Sequence, residues 1–317
     1  MKRLLIYMVC FVLFSGCSPE DRALPPAPDA IRFVSGISVE VSKATGPVSG
    51  TVLQSGSRIG LFATSGGSGV VGGTVVMNNL VGTVGAEGAI DYDPVKYYEK
   101  DKNYNFYACY PYTVSDYTDA GKAPSLSVSL APNAQAQDDY LWASLPGVTP
   151  EAGGATGVRK FTFRHALCQV RVRIWNGSDK EVPLNSITLK APGSGVLSLG
   201  DGTWSETKET ETETNPFISF TLYSPSELSP LPKDAFYEVP SALLQLPVSE
   251  EAMKSQVFSI TIDEKTYEVT PTTPAGGWKA GFSYLYTVWY ATDGIGFQGT
   301  VESWQPVDGG NVDTGEP

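Results

Sequence analysis

The sequence predicts an all-β fold, on three observations. Few windows of its 317 residues carry an i, i+3, i+4, i+7 apolar stripe, and Pro or Gly interrupts most long apolar runs. Short runs rich in Val, Ile, Thr, Tyr and Phe recur instead, each closed by Gly, Pro, Asn or Asp. No helical stretches of about 10–15 residues intervene to make the crossovers of a parallel sheet. Many short strands at this spacing make antiparallel sandwiches, and a chain of this length suggests two domains of ordinary size.

The first residues stand apart from that pattern. Lys2 and Arg3 precede an eleven-residue apolar run, Leu4 to Phe14. That is well short of the roughly 20 residues a membrane-spanning helix needs, so residues 1–16 read as a signal peptide. The run ends in "LFSGC", where small residues Ser15 and Gly16 precede Cys17. A lipoprotein signal peptidase admits only small side chains beside the modified cysteine, so cleavage is expected between Gly16 and Cys17, with lipid on the Cys17 thiol. Acylation of the thiol substituent and of the new amine gives more than one chain, enough for stable anchoring. Residues 17–30 continue as "CSPEDRALPPAPDA", a polar, Pro-rich linker. Removing residues 1–16 takes away two basic residues and no acids. The mature chain then holds 20 basic against 34 acidic residues, a net charge of −14. Such a chain repels nucleic acid, which is excluded as a partner.

The strands follow. Ile31, Phe33, Ile37, Val39 and Val41 share one parity and predict a first strand from Ile31 to Val41. Further runs are "RIGLFA", "NYNFYACYP", "SLSVSL", "NSITLK", "FISFTLY", "FSITIDEKTYEV" and "YLYTVWYA", and "DEK" joins two arms of the sixth as a hairpin turn. An N-terminal sandwich is expected over residues 31–157 and a C-terminal one over residues 158–317.

Residues able to do chemistry are sparse. His165 is the only histidine, in "FTFRHALCQVRVRI". Phe161, Phe163 and His165 share one parity, and Val170, Val172 and Ile174 the other. Strict period two cannot change phase without an irregularity, expected near Ala166–Leu167. His165 sits there, where a ring nitrogen can satisfy a freed backbone carbonyl, and its expected role is structural. Asp138 and Asp139 are adjacent, so in an extended chain they point to opposite faces and make a poor acid/base pair. Cys109 and Cys168 lie in separate apolar runs and read either as buried thiols or as a disulfide. The patch "TSGGSGVVGG" lacks the strand-to-helix context of a phosphate loop. The acidic run with Glu209, Glu211 and Glu213 lacks a calcium-loop frame and reads as a solvated loop or edge. There is no nucleophile elbow. No cofactor, metal site or catalytic residue is expected, and the chain is not read as an enzyme.

Taken in order, several segments carry a resemblance. They are "ISVEVSKATG" closing the first strand, "SGSRIGLFA", the Tyr-rich "YNFYACYPY", "AQAQDDYLWA", "FRHALCQVRVRI", "AGFSYLYTVWY" and the terminal "GTVESWQP". This ordered set resembles the fimbrillin family of Bacteroidota, the subunits of type V pili, over nearly the whole chain. Acidic residues close behind Cys17 resemble the surface-export signals of lipoproteins in the same phylum. The resemblance implies two tandem transthyretin-like sandwiches and a surface-exposed lipoprotein of the outer membrane that joins a fimbrium. It further implies that a protease removes the leader with the first strand and that a strand of another subunit fills the groove. Ile37, Val39 and Val41 would be the exchanged plugs. Cleavage would follow Lys43, where the family has Arg, or else Arg32 or Arg58. Ser57 stands where the family has Asp. The tail "QPVDGGNVDTGEP" is a poor donor strand by composition, which favours a tip, base or accessory role. Within the family His165 is a mark of fold. Expected partners are other fimbrial subunits, the outer membrane through the lipid, and a host or bacterial surface ligand. The rival reading is a surface lipoprotein that binds glycan or protein and never polymerises.

Overall fold

Period-two alternation, rather than any helix, orders this chain in space. The computed structural model describes residues 30–37, 53–66, 73–150, 157–205, 207, 217–226, 229–291 and 293–303. The first strands are β1 (Arg32–Ile37), β2 (Arg58–Gly66), β3 (Thr74–Val84), β4 (Ala89–Tyr92), β5 (Asn103–Tyr110), β6 (Ser125–Ser129), β7 (Leu141–Val148) and β8 (Val158–His165). There follow β9 (Cys168–Asn176), β10 (Val182–Ala191), β11 (Ser194–Ser198), β12 (Trp204–Ser205), β13 (Ile218–Tyr223), β14 (Ser229–Leu231), β15 (Phe236–Glu238) and β16 (Leu243–Gln245). The last are β17 (Val257–Ile262), β18 (Lys265–Val269), β19 (Phe282–Ala291) and β20 (Gly294–Ser303). One turn of helix, α1 (Glu250–Met253), is capped by Ser249, whose hydroxyl accepts from the Ala252 amide.

The fold is all-β, as the sequence predicts. In the first half, where the sequence reading has a sandwich, hydrogen bonding runs round a closed ring, β1-β4-β3-β2-β5-β7-β8. Inside lie Phe33, Ile59, Leu61, Phe106, Leu141, Phe161 and Phe163. The opposite faces of the same strands are also buried. Phe62 of β2, Cys109 of β5 and Trp142 of β7 join the second core. Residues of both parities are therefore apolar on β2, which hides the alternation in "RIGLFA".

The second core lies between two further sheets. One runs β13-β10-β17-β18, with β14 also on β10, and the other runs β15-β9-β19-β20, with β16 also on β9. Their inward side chains, among them Val172, Leu189, Ile260, Tyr286 and Val288, form one cluster. A small third sheet, β12-β11-β6, ties the halves together, because β6 precedes the ring's last strands yet pairs with β11. Gly202 is in its β11–β12 turn at φ +74, and a Cβ there would fall 2.3 Å from the Trp142 ring, so only glycine fits. The "DEK" turn is a two-residue hairpin between β17 and β18, with Asp263 and Glu264 both at positive φ.

Two pairings depart from the antiparallel expectation: β1 lies parallel to β8, and β9 parallel to β19. The crossover between each parallel pair is made by a whole set of strands rather than a helix, so the absence of helices did not exclude it. The expected boundary at residue 157 likewise does not coincide with a change of sheet. β8 belongs to the ring, and the chain crosses between cores at Ala166–Leu167.

That crossing is the predicted change of phase. Phe161 and Phe163 face the first core, while Val170, Val172 and Ile174 face the second. The backbone groups it frees are caught. The Ala166 amide donates to the Tyr140 carbonyl at 2.8 Å, the Trp204 indole donates to the Ala166 carbonyl at 2.8 Å, and the Gly281 amide donates to the Leu167 carbonyl at 2.9 Å. His165 closes β8 beside this crossing. Its Nδ1 lies 2.9 Å and 3.1 Å from the two carboxylate oxygens of Asp139, and both side chains are essentially without solvent contact.

Replacing His165 by Ala takes the imidazole from a buried carboxylate. The expected loss is about 3–5 kcal/mol, the range for breaking a buried pair from one side. Urea denaturation measures it, and an unchanged midpoint would remove the structural role assigned to this pair.

Candidate strand-exchange site

β1, six residues long, is the first strand among the described residues. It pairs with β8 over six positions, from Arg32 opposite Val158 to Ile37 opposite Phe163. On its other side it meets β4 at only two, Phe33 opposite Ile90 and Val34 opposite Ala89. Its approach is fixed by Tyr92, whose hydroxyl donates to the Ile31 carbonyl at 2.8 Å, and by the Ile31 amide, which donates to the Lys96 carbonyl at 2.9 Å. Burial pushes the Tyr92 phenol up to about 12, so it remains a donor throughout the ordinary pH range.

Alternation sends Ile31, Phe33, Ser35 and Ile37 inward, all buried. Phe33 is central. Its ring stacks on Phe161 at 4.8 Å between centroids, meets Phe106 edge-on at 5.1 Å and lies 6.0 Å from Tyr92. Ser35 donates to the Gly88 carbonyl at 3.2 Å, so the one inward hydroxyl is satisfied. The site is a seat for an extended apolar strand and contains no reactive constellation. Among the described residues no group of three or more His, Cys, Asp or Glu could hold a metal ion.

Of the residues singled out from sequence, Ile37 lies in this seat, while Gly16, Cys17, Val39, Val41 and Lys43 fall outside the described residues, as do Glu209, Glu211 and Glu213. Arg32 is within β1 and Arg58 opens β2, opposite Thr83. The Arg58 guanidinium lies 5.2 Å over the Tyr112 ring. A protease takes its substrate as an extended chain in its own cleft, so cutting at either arginine requires opening a sheet first. Cys109 and Cys168 are free and buried. Burial pushes the Cys109 thiol up to about 11 and Cys168 higher still, so both are protonated and poor nucleophiles.

Three residues that matter were not singled out. Phe33 shares the parity of Ile37, which was the available signal. Asp139 was weighed only against its neighbour Asp138. Gln137 sits in "AQAQDDYLWA", where its side chain accepts from the Leu244 amide at 2.7 Å and donates to the Ala131 carbonyl at 3.1 Å. Nothing local in the sequence announces that contact.

The described residues form a nearly all-β fold in which β1 completes a ring of strands. The family model described as fimbrillin-like matches residues 43–304, and the chain belongs to that family. No curated protein sequence matches it. Solved structures share the fold at low identity. A candidate cell adhesion protein of Bacteroides uniformis is 16% identical, with a TM-score of 0.56 over 87% of this chain and 100% of that one. A second candidate cell adhesion protein, from Bacteroides ovatus, is 16% identical, with a TM-score of 0.57 over 88% of this chain and 99% of that one. A fimbrial protein of Bacteroides vulgatus is 16% identical, with a TM-score of 0.56 over 87% and 99%.

Phe33→Ala opens a hole among three aromatic rings and is expected to destabilise the chain by about 3–5 kcal/mol. Val34→Ala, on the outward parity, is expected to cost about 1 kcal/mol or less. Chemical denaturation of the two variants checks the contrast; equal losses would mean that Phe33 is not the anchor of β1.

Proposed function

We propose that this chain is a structural or adhesive subunit of a cell-surface fimbria, exported as an outer-membrane lipoprotein and assembled by strand exchange. The tandem transthyretin-like arrangement, the lipid on Cys17 and a tip or accessory position belong to the same reading. The observation that carries it is the seat of β1. A six-residue strand, Arg32–Ile37, closes the ring, and its loss would leave the edges of β4 and β8 unpaired beside an apolar groove. Exposed edges of this kind accept a strand from another chain, with main-chain bonds for affinity and alternate side chains for specificity. Family membership supports the same reading.

Lys43 is the proposed cutting point, since Arg32 and Arg58 are both engaged in sheets. A cut there severs β1 from β2 and leaves it held only by pairing and packing. Each inward apolar side chain contributes roughly 1.5–3 kcal/mol on burial, so refilling the seat drives association.

A chain beginning at Ala44 should oligomerise, or bind an added peptide of residues 30–42, whereas the uncut chain should stay monomeric and ignore the peptide. Phe33→Asp in the peptide should abolish binding, because it carries a charge into the ring of Phe106 and Phe161. Analytical ultracentrifugation with fluorescent peptide reads both; a stable Ala44 chain that remains monomeric and peptide-indifferent would end the exchange reading.

The anchor is tested separately. Cys17→Ala should leave the protein without metabolic palmitate label and free of the membrane fraction, and label retained on that variant would contradict the lipoprotein assignment.

A further inference from the structure

The outer face of the β15-β9-β19-β20 sheet carries an aromatic cluster that serves neither core. Phe236 lies opposite Trp175, and Trp175 opposite Trp289, so three rings stand side by side across three strands. Their centroids are 4.9, 6.2 and 5.6 Å apart. Phe236 is 43% exposed and Trp289 42%. The adjacent row on the same face is polar: Glu238 and Thr287 each lie opposite Arg173, and Gln298 lies opposite Thr287. Arg173 is held in place, with its guanidinium 4.7 Å over the Phe236 ring and its Nε donating to the Thr287 hydroxyl at 2.8 Å.

Exposed apolar rings rimmed by polar groups mark an interaction site. The occupant follows from size and charge. A stable protein interface engages about 20–30 residues a side, and three rings beside a charged row fall far short of that. An anion on this row meets Glu238 and a cation meets Arg173, while an apolar ligand strips water from both and leaves them unpaired. Vicinal hydroxyls, which donate and accept, satisfy the guanidinium and the carboxylate together. A pyranose also presents an apolar C–H face to an indole. We propose that this face is a carbohydrate subsite for a neutral hexose oligosaccharide, with a sugar ring stacked on Trp289 and its hydroxyls shared between Arg173 and Glu238. It does not depend on strand exchange.

The test titrates the full chain with cellohexaose, mannohexaose, laminarihexaose and polygalacturonate, read by tryptophan fluorescence and calorimetry. At least one neutral hexaose should bind. Trp289→Ala should weaken that binding at least tenfold with the melting curve kept, and Glu238→Gln should weaken it severalfold. No binding by any of the three neutral sugars overturns the proposal, as does binding that Trp289→Ala leaves intact. Binding of polygalacturonate alone, strengthened by Glu238→Gln, replaces it with an anion site. Self-association lost in Trp289→Ala without sugar binding replaces it with a second copy of the chain.

Discussion

One run of chain serves two cores, and the rest of the architecture depends on how it changes allegiance. A strand shows alternate side chains to opposite faces, so β8 can feed the ring and β9 the second core only if the phase reverses between them. The reversal occupies Ala166 and Leu167 and frees backbone groups in a place without water. Each caught group draws on a distant segment: Tyr140 before β7, Trp204 in β12 and Gly281 before β19. The Asp139–His165 pair locks the two strand ends against each other at 2.9 Å. Buried polar groups are tolerated only when satisfied, so this crossing confines the chain to one mutual arrangement of β7, β8, β9 and β12.

The same crossing sets the seat of the first strand. Because β8 ends at His165 with its register fixed, Phe161 and Phe163 are presented to β1 at defined positions, and Phe33 finds Phe161 at stacking distance. The two sides of β1 are unequal. Six positions face β8 and two face β4, while Tyr92 and Lys96 hold the backbone just ahead of it. An entering strand would find its specificity on the β8 side, where the aromatic pockets lie, and the fewest pairs to replace on the β4 side.

Much of this was legible in the sequence. Alternation identified the strands whose two faces differ, such as β9 and β17, and the change of phase located the crossing to the residue. What escaped reading has a common physical cause: it depends on contacts between distant segments. The parallel pairing of β1 with β8 closes a ring across most of the first half. Asp139 finds His165 rather than its neighbour, and an extended-chain argument about Asp138 and Asp139 says nothing of that. The sheets on both faces of β2 bury residues of either parity and erase the alternation that would have separated inside from outside. Trp175 and Trp289 look like core residues in sequence because their strands are otherwise buried; only the register between β9 and β19 shows that both indoles stand on the same outer face.

That register also separates the two candidate surfaces. β1 is in the ring and touches β4 and β8, whereas the aromatic row belongs to β9, β15 and β19. One link between them is the crossing strand, with β8 flanking β1 and β9 bearing Trp175 and Arg173. Its bend is tied to three segments and to the Asp139–His165 contact, so removing β1 frees no backbone group at the bend itself. On the proposed function, the chain could give up β1 while the sheet of β15, β9 and β19 keeps its pairing. Under the two proposals, strand exchange and sugar binding would therefore draw on different residues.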